Sequence, residues 1–124
     1  MKLNTIHHVA IIVSDYERAK EFYVGKLGFQ VLRENYQARR GSYKLDLKAG
    51  DQELEVFYMP GAPKRVTNPE ACGLRHLSFG LDASRKPSGN WISWVLKPRL
   101  SGATTTPAGS YASFRPDGLP LELH

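Results

Sequence analysis

Cysteine is nearly absent: Cys72 is the only one in 124 residues. One thiol excludes an internal disulfide framework and suits a reducing compartment, so a cytoplasmic protein is expected. No apolar run is long enough to span a membrane, and the first residues lead straight into a strand pattern, so neither an anchor nor a signal peptide is expected. Acids are missing locally. Residues 83–114 hold Arg85, Lys86, Lys97 and Arg99 and no Asp or Glu, whereas the other 92 residues carry 13 basic and 12 acidic side chains, which nearly cancel. The net charge of +5 therefore belongs to one segment and not to a basic face with interleaved aromatics, which argues against nucleic acid as a partner. The length fits one ordinary domain, or two very small modules sharing a core, and 41% hydrophobic residues suffice for a packed interior.

What the chain does contain is a repeat. His8-Val9-Ala10-Ile11 and His76-Leu77-Ser78-Phe79 each place a histidine at the head of a mostly apolar run. Each is followed at nearly the same distance by a glutamate between apolar residues: Glu55 lies 47 positions after His8, and Glu122 lies 46 after His76.

The chain between these points reads as strand, helix, strand, strand, strand. Residues 4–13 alternate, with His8, Ala10 and Ile12 on one face and His7, Val9, Ile11 and Val13 on the other. Ser14-Asp15-Tyr16-Glu17 is a capping-box signature, Ala19, Phe22, Tyr23 and Leu27 follow at helical spacing, and Gly28 is placed to end the helix. Residues 29–36, 43–48 and 52–59 read as strands, with turns at Ala38-Arg39-Arg40-Gly41-Ser42 and Ala49-Gly50-Asp51. Residues 60–72, with three prolines, form a connector; the pattern restarts at Gly73 and ends in a strand at 119–124, entered through Pro116-Asp117-Gly118. The expected fold class is α+β, a single domain of two βαβββ modules at 4–59 and 73–124.

A lone strand histidine is usually structural and a strand glutamate usually solvated, so His7, His124 and Glu53 read as bland. The repeat changes the odds for His8, Glu55, His76 and Glu122. If the modules pack about a pseudo-twofold axis, within one chain or between two, these four can converge. Two imidazoles and two carboxylates suit one six-coordinate divalent ion (Zn, Ni, Co, Mn or Fe) with positions left for water or substrate.

With these residues the chain resembles the vicinal oxygen chelate superfamily, the fold of glyoxalases, bleomycin-resistance proteins and extradiol dioxygenases. The resemblance rests on His8-Val9-Ala10-Ile11 with Asp15, Phe22-Tyr23, Leu27-Gly28-Phe29, Leu54-Glu55-Val56, Gly73-Leu74-Arg75-His76, and Pro116-Asp117-Gly118-Leu119-Pro120-Leu121-Glu122. It implies metal ligands at His8, Glu55, His76 and Glu122, a homodimer, and chemistry in which the metal chelates vicinal oxygens of a small-molecule substrate and stabilises an enediolate or oxyanion. In glyoxalase-type members the last-strand glutamate is also the base, which points to Glu122 as the catalytic residue. Extradiol dioxygenases and fosfomycin-resistance enzymes use two His and one Glu, so four ligands favour the glyoxalase-like branch, a metal-dependent lyase or isomerase. Lactoylglutathione lyases, however, carry glutathione-contacting Arg and Asn where this chain has Ile12 and Met59. The alternative is a non-catalytic binding protein of the same fold, like the bleomycin-sequestering members.

Residues 83–114 fit the resemblance poorly. They hold both tryptophans, three prolines and no capped amphipathic helix. The genetic code suggests that they are the family's second helix and following strands read in a shifted frame. Ala83 to Ser88 can be encoded GCA TCG AGA AAG CCG TCG, which from the last alanine base reads Ile-Glu-Lys-Ala-Val, a helix start. A one-base loss near Ala83 and a two-base loss near Arg115 would shorten the chain by one residue and account for 46 instead of 47 between His76 and Glu122. The second module is thus expected to be scrambled over 83–114.

Overall fold

The computed structural model describes residues 1–80, 110–112 and 117–123. Of 83–114, the span expected to be frame-shifted, all but residues 110–112 lies outside the described residues, as does His124. The protein is α+β, and the chain divides into two compact units, Met1–Lys64 and Arg65–His124.

In the first unit β1 (His8–Val13) leads into the helix α1 (Tyr16–Lys20), which continues as a π-helical segment (Glu21–Lys26). The helix begins one residue later than the capping-box text predicts. Asp15, not Ser14, is the N-cap: its carboxylate accepts from the Arg18 amide at 3.0 Å. A carboxylate at that place also meets the positive end of the helix dipole. Three strands follow: β2 (Gln30–Gln37), β3 (Ser42–Ala49) and β4 (Gln52–Tyr58), in the sheet order β1-β4-β3-β2. β1 runs parallel to β4, and the other pairs are antiparallel.

Alternation divides this sheet into an apolar and a charged face. Ile11, Val13, Leu45, Leu47, Leu54 and Val56 are buried together with the helical Tyr16, Ala19, Phe22 and Tyr23. The register puts His8 opposite Glu53, Ala10 opposite Glu55, and Asp46 opposite Glu55, so these residues share the other face. β2 is exposed along its whole length, an edge strand carrying Arg33, Glu34 and Gln37.

The second unit contains β5 (Leu77–Phe79), β6 (Ser110–Ala112) and β7 (Leu121–Leu123), in the order β5-β7-β6. β5 is parallel to β7 and β6 antiparallel to it. This is the β1-β4-β3 arrangement again. β6 falls inside the segment 83–114, at a place where no strand is expected from the sequence. In each unit the last strand follows a glycine in the left-handed region, Gly50 (φ 65°) before β4 and Gly118 (φ 78°) before β7, where a side chain would be strained.

Candidate metal centre

The repeat holds at the level of register. Ala10 stands opposite Glu55 across β1 and β4, and Ser78 stands opposite Glu122 across β5 and β7. His8 is two positions before Ala10, and His76 two before Ser78, so each histidine belongs to the face of its glutamate. The side chains meet accordingly. His8 Nε2 lies 4.0 Å from Glu55 Oε2, and His76 Nε2 lies 3.6 Å from Glu122 Oε2. The structure thus brings together His8 with Glu55 in the first unit and His76 with Glu122 in the second.

These distances fit ligands of an ion. Two donors that each stand about 2.0–2.2 Å from a common ion lie about 3–4 Å apart. The donor chemistry fits as well: neutral imidazole and carboxylate suit the borderline divalent metals. Both glutamates are mostly covered, and both histidines are partly exposed.

His7 departs from its expected place. It precedes β1 instead of alternating within it, and its Nδ1 lies 3.0 Å from His8 Nδ1. One of the two nitrogens donates and the other accepts, which occupies His8 Nδ1 and leaves Nε2 facing Glu55.

Around Glu55 the charged face is a ladder of ion pairs. Lys44 Nζ lies 2.6 Å from Glu55 Oε1, and Arg33 Nε lies 2.7 Å from Asp46 Oδ2. The Arg33 Nη2 reaches Glu53 at 2.5 Å. Asp46 Oδ1 is 3.0 Å from Lys44 Nζ, an ion pair in place of a well-angled hydrogen bond. Burial alone would push the Asp46 carboxyl up, but Arg33 and Lys44 outweigh it and hold it below the ordinary aspartate range. Glu55 foremost, and then Asp46, hold the Lys44 ammonium above its usual range. Asp46, Glu53 and Glu55 bring their oxygens within 4.8 Å of one another, and two cations, Arg33 and Lys44, already pair with this acidic group.

Lys44 and Asp46 were not singled out by sequence reasoning, which saw only the polar positions of an alternating strand. The signal was present in the hairpin. A turn at Gly50 that pairs Ala49 with Gln52 necessarily sets Asp46 opposite Glu55.

The model of the Glyoxalase/Bleomycin resistance protein/Dioxygenase superfamily matches residues 5–92. The chain belongs to that superfamily. The match ends inside the segment 83–114. YwkD, an uncharacterized protein of Bacillus subtilis, is 47% identical over 131 residues, which cover 100% of this chain and 98% of YwkD. Among solved structures, SMU.1112c is 45% identical, with a TM-score of 0.78 over 99% of both chains. A glyoxalase family protein from Enterococcus faecalis is 43% identical, with a TM-score of 0.73 over 100% of this chain and 99% of that one. Two more distant structures share the fold, each with a TM-score of 0.65. Leishmania major glyoxalase I is 22% identical over 98% of this chain and 86% of its own. The fosfomycin resistance protein FosX from Listeria monocytogenes, solved with Mn(II), is 13% identical over 99% and 93%.

Proposed function

We propose that this superfamily member is a metal-dependent glyoxalase-like isomerase or lyase for a small oxygenated substrate. It is a single domain of two modules, 4–59 and 73–124. His8, Glu55, His76 and Glu122 together hold one divalent ion. The observation that carries this reading is the pair of register-equivalent His–Glu contacts, one in each unit. A chance surface pair has no reason to recur at the same register of the same strand order.

The bound ion would polarise adjacent oxygens of the substrate. The chain's own residues do the rest. Glu122 takes a proton at a carboxylate oxygen from the carbon beside the polarised carbonyl and returns it to the neighbouring carbon. Glu55 is placed as a ligand only: Lys44 donates to its Oε1 at 2.6 Å, and its Oε2 faces His8. His7 engages His8 Nδ1 and so presents Nε2 as the ligand atom. Association of two copies belongs to the same reading and is checked by the mass in solution.

Mn(II) is the first ion to try, since the FosX structure contains it. The test compares the wild-type chain with Glu122→Gln. The variant is expected to retain part of the Mn(II) affinity and to lose exchange of a substrate C–H proton with solvent. A variant that exchanges as fast as wild type would remove Glu122 from the role of base.

The alternative is a binding protein without catalysis. Ile12 favours it: this large apolar residue is 55% exposed and stands opposite Phe57 on the face that carries His8 and Glu55. Metal content separates the two readings, because sequestering members hold no ion.

A further inference from the structure

The charged face contains a cation where a metal site would least need one. Lys44 is on β3 opposite Phe57, two positions from Asp46, and Asp46 is opposite Glu55. Its ammonium lies 2.6 Å from Glu55 Oε1 and 3.0 Å from Asp46 Oδ1. Glu55 Oε2 is turned toward His8. Lys44 and an ion held by His8 and Glu55 would therefore bracket one carboxylate from its two oxygens. Two like charges that close repel, so the lysine works against the resting metal site. Its position is nonetheless well fixed. Asp46 is buried and holds it from below, Arg33 holds Asp46, and the ammonium stands 5.5 Å over the Phe57 ring.

Resting on the metal reading above, we propose that Lys44 recognises an anionic group of the substrate. The substrate class is then a small acid with a carboxylate or comparable oxyanion beside the oxygens that bind the ion. An ammonium has three N–H donors, and Glu55 and Asp46 face it with two carboxylates. An ion drawing on Glu55 weakens that carboxylate as a counter-charge for Lys44. An anion arriving at the ion supplies the charge that Glu55 gives up. Lys44 is in this way a specificity residue for charge, and metal binding prepares it.

The proposal predicts effects of opposite sign on metal and ligand, which loss of structure alone does not produce. The probes are Mn(II) alone, oxalate, whose outer oxygens remain to accept from an ammonium, and acetohydroxamate, which chelates without such oxygens. Calorimetry on the whole chain would compare wild type with Lys44→Met, Lys44→Gln and Lys44→Arg. In the Met and Gln variants oxalate should bind the Mn(II)-loaded protein about tenfold or more weakly, as the loss of one charge-assisted hydrogen bond implies. Acetohydroxamate should change little, Mn(II) itself should bind as well or better, and Lys44→Arg should restore most of the oxalate affinity. Parallel loss of all three ligands in both neutral variants would show a structural role only and overturn the proposal, as would unchanged oxalate binding. Mn(II) binding by wild type is measured first. Its absence would remove the metal reading itself, and that outcome is distinct from a failure of Lys44 alone.

Discussion

Among the described residues, the two units share a three-strand frame and differ in what is packed against it. β1-β4-β3 and β5-β7-β6 have the same order, the same strand directions and the same register at the glutamate. The first unit adds α1, its π-helical continuation and β2, and buries Ile11, Val13, Tyr16, Ala19, Phe22, Tyr23, Leu45, Leu47, Leu54 and Val56. In the second, the buried hydrophobics among the described residues are Leu119 and Leu121. The proposed ligand pair of each unit needs only a first and a last strand in register. Stability needs the layer behind them. In the first unit the proposed ligands and the buried layer thus lie on opposite faces of the same strands.

Matched truncations test that separation most strongly. Leu54 and Leu121 each precede the glutamate of their unit, and both are buried. Leu54→Ala, against the helix-backed core, is expected to cost about 2–5 kcal/mol in chemical denaturation, and Leu121→Ala less. Equal losses would show that the second unit is packed as densely as the first.

A smaller effect separates the two faces of the first sheet. Asp46→Asn removes the buried charge between Arg33 and Lys44 and is expected to cost about 1–3 kcal/mol at neutral pH. The folded Asp46 carboxyl lies below its ordinary value. Its contribution is therefore complete above the unfolded aspartate range, near pH 4, and is lost as pH falls through the folded value. The gap between wild type and variant should close on acidification; a gap constant down to pH 2 would contradict the assignment.

The last difference concerns substrate and also lies in the first unit. With Ile12 and Met59 at the positions named above, the chain should turn over the glutathione–methylglyoxal hemithioacetal poorly. A rate usual for enzymes, about 1–1,000 per second, would restore the lactoylglutathione lyase reading.

Most of the first unit was legible because its signals were local and agreed. Alternation fixed the faces of β1, β3 and β4, and Gly28, Gly41 and Gly50, all at positive φ, marked the turns. The family, and with it the α+β fold, could be read from short motifs spread along the chain. Three features were not legible as written. Ser14 and Asp15 are both capping residues, and only the backbone decides between them. His7 reads as part of an alternating strand, but the ladder reaches only to His8, and its ring turns to the ring of His8. Lys44 and Asp46 read as solvated because polar alternation cannot distinguish solvent from a charged site; the cross-strand register does.

Residues 83–114 present a different difficulty. Their composition departs from the rest of the chain, and the family match stops at residue 92. β6 nevertheless pairs with β7 within this text. The shifted-frame account predicts that a re-sequenced gene carries one further base near codon 83 and two near codon 115. An open, unshifted frame, together with a peptide mass that matches the written residues, would rule it out.

The central claim is that two register-equivalent pairs make one metal centre. Elemental analysis of the purified chain and of His8→Ala, Glu55→Ala, His76→Ala and Glu122→Ala tests it most directly. The account predicts one divalent ion per chain in the wild type and a loss of affinity of about 100-fold or more in each variant, whichever unit it falls in. Two ions per chain, or an ion retained at full affinity after loss of either pair, would contradict it.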